Sequence, residues 1–202
     1  MPRRYDSGGK AAMRSGFLGV GATFEEVRAV LPGDGLVPAP DVVMDRGFGL
    51  PSTPGDVWPW IVQLGKERSG WYLPGWAEAL IPARRRALRY VDPALQGLAA
   101  GDVIADWGGR DATFEIVEVD PPRALVHRSQ RGALAISWAI VLRPAPANGN
   151  AADEAPGTRV HLRLRLAGVK HRRLVAIGGG LFDLLTIAGL AAGLRERLRA
   201  RR

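Results

Sequence analysis

Asp183 is the residue whose surroundings most demand a chemical explanation. It stands at the middle of the run Leu174–Leu194, among ten strongly apolar residues and no other charge. A carboxylate in such company must find a partner or take up a proton. On a helical net its neighbours are Ala176, Ile187 and Leu190, none of them polar. The partner is therefore expected from another element: a strand residue such as Arg128, or the polar end of a bound molecule. A structural ion pair or a place at the solvent seam is the plainer alternative. His127, Tyr72 and Asp106 are the other groups that could serve as general acid or base, with a satisfied structural role as the plainer alternative for His127. The three histidines, His127, His161 and His171, are scattered without H-x-x-x-H spacing, so no metal centre is expected. His161 shares its strand face with arginines and is expected to be solvated. No G-x-S-x-G, Walker or dinucleotide glycine pattern is present, and no cofactor is expected.

These groups need elements to hold them. Thr23 with Glu26 marks a helix start for residues 23–31. Thr53, Pro54 and Asp56 mark a second for 53–65. Strands are expected at 41–50 and briefly at 69–73, then in period two at 102–107, 112–119, 123–129, 133–143 and 158–168. In the last two, Leu134, Ile136, Trp138, Ile140, Leu142, Val160, Leu162, Leu164 and Leu166 share one face, and small or charged residues the other. That is the pattern of an antiparallel sheet with one wet side. Burying those nine side chains would gain on the order of 14–27 kcal/mol gross, which requires a partner layer.

The partner layer is the helix expected from Lys170 to Arg202. It is long enough to span a bilayer, but ten favourable residues contribute only about −5 kcal/mol and a central Asp opposes by roughly 2.5 to 3.5. The five glycines in the run add nothing, so burial against the sheet is the expected state.

Hydrophobic residues make up 47% and charged residues 24% of the 202 positions, an ordinary globular balance for one domain. There is no cysteine. The net charge of +8 gathers at the termini, around 84–89 and on one strand face, without interleaved aromatics, so nucleic acid is not the expected partner. Residues 1–20 read as a disordered lead without a signal-peptide apolar run, 21–202 as one domain, and 144–157 as a mobile hairpin loop. The expected location is cytoplasmic, with contact at the inner face of the membrane as the alternative.

The segments TPGDVWPWIVQLG (53–65), SGWYLPGWAEAL (69–80), LAAGDVI (98–104) and SWAIVL (137–142), with the upstream GATFEEVRAVLPGDGLVPAP, resemble the START-like superfamily. Its members are also called SRPBCC, polyketide cyclase/dehydrase-like or Bet v 1-like proteins, and the likeness is to a poorly characterised bacterial branch. The resemblance implies an α+β helix-grip fold, with about seven antiparallel strands wrapped around a long C-terminal helix. It also implies an internal cavity for a hydrophobic or amphipathic small molecule such as a lipid or polyketide, and brings no catalytic motif. The triple glycine 178–180 departs from a smooth closing helix. The cavity is expected to be lined by Ile136, Trp138, Ile140, Leu162, Leu164, Leu181, Asp183 and Leu185. A cyclase or dehydratase using the same cavity, and a membrane-surface protein held by the end helix and its arginine tail, are the alternatives. The sequence leaves the oligomeric state open.

Overall fold

The computed structural model describes residues 17–146 and 156–200. Most of the expected N-terminal lead and the centre of the expected hairpin loop lie outside these residues. The element order is α1 (Phe24–Arg28), β1 (Val42–Leu50), α2 (Pro54–Gln63), α3 (Gly75–Glu78), β2 (Val103–Ala105), β3 (Thr113–Asp120), β4 (Ala124–Arg131), β5 (Leu134–Pro146) and β6 (Pro156–Ala167). A C-terminal helix, Arg172–Arg199, follows. One antiparallel sheet runs β1-β6-β5-β4-β3-β2, a meander to which the first strand is added on the side of the last. This is an α+β helix-grip architecture with six strands.

The missing strand is the one expected at 69–73. Only a single bridge, Gly65–Gly70, forms there. The chain beyond it lies instead along the C-terminal helix. A Cβ on Gly193 would sit 2.7 Å from the backbone of Tyr72 and Leu73, so only glycine permits this approach. Arg197 donates to the carbonyls of Leu73 and Leu88 at 3.1 and 2.9 Å, and its guanidinium lies over the Tyr72 ring and pairs with Glu78. The Leu73 carbonyl, which a neighbouring strand would have bonded, is thus bonded by a helix side chain.

Both helix starts behave as their residues dictate. Thr23 and Glu26 form a reciprocal capping box, and Thr53 caps α2 with Pro54 in the first turn. The core forms where α2, the sheet and the second half of the C-terminal helix meet. Trp60, Ile61, Phe48, Leu125, Ile140, Leu142, Val160, Leu190 and Leu194 are buried there. Val20 joins them, so residues 17–20 close on the fold as a tight turn rather than trailing from it. The strands β5 and β6 stay paired out to Pro146 and Pro156, which shortens the expected loop from both sides.

The face expected to be wet is covered. Residues 24–37 lie across the outer side of β1 and β6, and Arg163 is buried beneath them. Its guanidinium donates to Asp45, to Asp34 and to the carbonyls of Glu26, Val27 and Ala29, at 2.7 to 2.9 Å. Those carbonyls form the end of α1, where only Glu26 of the three also accepts from the Ala29 N–H, so a strand arginine caps that short helix. Arg159 pairs with Glu26 at 2.7 Å. Burial works against the Glu26 carboxylate, but Arg159 and the Thr23 N–H more than offset it, and its pKa falls. His161 is 1% exposed rather than solvated, with Nε2 at 2.8 Å from Asp45. Alternation identified the two faces correctly; it could not show that the charged one is a buried network.

Candidate functional site

The inner face of the sheet has two unlike ends. Where Phe48, Val160, Leu142 and Leu125 lie, α2 and the later turns of the C-terminal helix close over it completely. Four residues further along β5 and β6 the cover thins. Trp138, Leu164, Leu166 and Leu134 point inward yet are only half-buried. The C-terminal helix does reach this end: Gly179 lies beside Met44, and Arg46 on β1 donates to the Gly180 carbonyl at 2.8 Å.

Aromatic rings gather at the thin end. Trp138 is opposite His127 on β4 and Leu164 on β6 in the ladder. His127 stacks on Trp138 with centroids 4.8 Å apart, and Phe114 stands edge-on to His127 at 5.7 Å. Trp71 stacks on Trp138 at 6.3 Å and meets Trp107 edge-on at 5.6 Å. The Trp71 indole donates to the Thr186 carbonyl at 3.1 Å, which ties the panel to the helix. Trp71, Trp107 and Phe114 were not among the expected lining residues. A signal existed in the Gly-flanked tryptophan of ADWGGRD, a large ring in a turn with no apolar strand to pack with.

Two ion pairs accompany the rings. Asp183 meets Arg46, not Arg128, with Oδ2 at 2.8 Å from Nε. Burial pushes the Asp183 pKa up and Arg46 only partly offsets this. Arg128 points to the other face and pairs with Glu115 at 2.8 Å. Asp106 is paired with Arg131, whose Nε donates to Ser129 at 3.0 Å and whose guanidinium lies over the Phe114 ring.

The remaining expected residues divide. Ile136, Ile140 and Leu162 are buried on the inner face, with Ile140 and Leu162 in its filled part. Leu181 and Leu185 are 56% and 54% exposed, because Gly179, Asp183 and Ile187 take the sheet-facing side of the helix and leave those two outside. They line no interior. Tyr72 is fully enclosed: its hydroxyl donates to the Trp60 carbonyl at 3.0 Å and bonds Gln63 and Ser69 at 3.0 and 2.7 Å. Burial raises its pKa although Ser69 and Gln63 oppose this. His127 is buried and its pKa is lowered to about 4 by desolvation, with the Trp138 carbonyl a weaker opposing influence. That carbonyl, 3.1 Å from Nδ1, can only accept. It therefore fixes the neutral tautomer with the proton on Nδ1 and a lone pair on Nε2.

Fold and site together define a helix-grip domain with a half-closed aromatic end. No family model and no curated protein matches the sequence. Among solved structures the chain is similar to CalU16 from Micromonospora echinospora at 16% identity, over 78% of this chain and 84% of that one, with a TM-score of 0.46. It is similar to a Mesorhizobium loti protein at 18% identity, over 80% and 99% of the two chains, with a TM-score of 0.44. A Rhodobacter sphaeroides protein is similar at 16% identity, over 82% and 97%, with a TM-score of 0.46.

Proposed function

We propose that the protein binds a hydrophobic or amphipathic small molecule at the thin end of the inner sheet face, against the rings of Trp138, Trp71 and Phe114. The observation that carries this is Trp138 itself. It points inward from β5, beside the buried Ile136 and Ile140, and yet is left half-buried. A stacked tryptophan surface offers a large apolar area at little cost in ordering. Arg46–Asp183 and Arg131–Asp106 supply the few polar groups that orient a ligand in such sites. An enzymatic reading of the same place has no comparable support. Asp183, Asp106, Tyr72 and the Nδ1 of His127 are each already engaged by a protein partner.

The test is binding of the apolar fluorophore 1-anilinonaphthalene-8-sulfonate, together with native mass spectrometry for a co-purified molecule. Trp138→Ala is expected to weaken binding at least tenfold while the fold is retained by circular dichroism. Equal binding by Trp138→Ala and the unaltered protein would remove the site from this end.

A further inference from the structure

The C-terminal helix is long and apolar enough to cross a membrane by length and composition, yet only 17% of its most apolar window is buried in the fold. Its two halves differ sharply. From Ile187 onward, Leu190, Ala191, Leu194 and Leu198 fill the core, and Arg197 is buried against Glu78. Before that, Leu174, Ile177, Leu181, Phe182 and Leu185 are between 54% and 76% exposed. The spacing of 174, 177, 181 and 185 keeps them on one side of the helix, with Phe182 beside them. The only carboxylate in this half, Asp183, is turned to Arg46. At its start stand Lys170, His171, Arg172 and Arg173, all exposed.

We propose that this first half, residues 170–185, docks the protein on an anionic lipid surface, lying in the interface with the five apolar side chains down and the basic cluster among the headgroups. Three arguments select this occupant. The apolar stripe carries a fringe of positive charge from Lys170 and Arg173, with Arg172 paired to the largely buried Asp41, and no outward negative charge of its own, which is complementary to anionic lipid. A spanning helix is excluded by length: residues 174–185 cover about 18 Å at 1.5 Å per residue, against about 30 Å of hydrocarbon, and the second half is locked in the core. A second copy of the chain fits less well. Five side chains so exposed offer on the order of 500 Å², short of the ~800 Å² per partner of a stable dimer. Two arginines of the tail are not available to such a surface: Arg197 is consumed inside the fold, and Arg195 is half-buried and donates to the Gly49 carbonyl at 3.2 Å.

Flotation of the full chain with vesicles tests this without knowledge of any ligand. Binding is expected to phosphatidylglycerol/phosphatidylcholine vesicles and to fall at least tenfold on phosphatidylcholine alone or in 0.5 M salt. Leu181→Ser/Phe182→Ser/Leu185→Ser should reduce it at least tenfold with an unchanged circular dichroism spectrum. Lys170→Glu/Arg173→Glu, which leaves the apolar stripe and the Arg172–Asp41 ion pair intact, should do the same. Absence of binding, binding unaffected by both variants, or resistance to alkaline carbonate extraction would each overturn the proposal. So would sedimentation showing a dimer that the serine variant dissociates while vesicles are ignored.

Discussion

At the scale of single residues the inner face is governed by what burial does to ionisable groups. His127 has an ordinary pKa of 6.5 that burial lowers to about 4. The unfolded chain therefore binds a proton that the folded one refuses between these values, and stability drops as pH falls through that window. The shift corresponds to about 3 kcal/mol, full above pH 6.5 and lost by about pH 4. In His127→Gln, which keeps a donor for the Trp138 carbonyl, the decline in denaturant stability from pH 7 to pH 4 should be smaller by about that amount. Tyr72 makes the second residue-scale prediction. Its hydroxyl closes a network with Trp60, Ser69 and Gln63, so Tyr72→Phe leaves buried partners unmatched. The expected cost is about 1–3 kcal/mol by urea unfolding, without effect on fluorophore binding. A variant as stable as the parent but unable to bind would reassign Tyr72 to the ligand.

At the scale of elements, glycines in one helix carry opposite instructions. Gly193 meets backbone at 2.7 Å, whereas added Cβ atoms on Gly178 and Gly180 would meet nothing within 4 Å. Gly193→Ala is thus expected to destabilise by about 1–3 kcal/mol through overpacking. Gly180→Ala should stabilise by about 0.5–1 kcal/mol, since its backbone is already helical. Melting temperatures of the two variants should move in opposite directions. The helix does run through the triple glycine, by a π turn over Val175–Gly179. Much of this level could be read from the chain. Thr23 and Thr53 announced two helix starts, and the alternation of 134–142 and 160–166 announced the inner face. What escaped was long-range: that Arg163 would cap a helix formed over a hundred residues earlier, and that 69–73 would follow the final helix instead of joining the sheet. Periodicity reports which residues share a face, not what comes to lie on it. Leu181 and Leu185 were misassigned to the interior for that reason, because a helix apolar all round gives no phase from which to choose its buried side.

At the scale of the whole molecule, the sheet and its helix form a solid half and an open half, and the boundary crosses the helix near Thr186. Among the described residues, none between Arg172 and Thr186 is fully buried, whereas Ile187, Leu190, Ala191, Leu194 and Leu198 all are. Local opening free energy follows buried contacts. Amides of 187–198 should therefore exchange with deuterium only through global unfolding, and those of 175–186 through much cheaper local openings. The π turn and the unsupported glycines act in the same direction, since neither adds packing. Addition of an apolar ligand or of anionic vesicles should then protect 175–186 selectively, leaving 187–198 unchanged because it is already at its ceiling. Uniform protection along the helix in the free protein would show a single rigid rod. In that case the exposed stripe would be a fixed surface feature, and its readiness to reorganise around a ligand or a membrane would have to be given up.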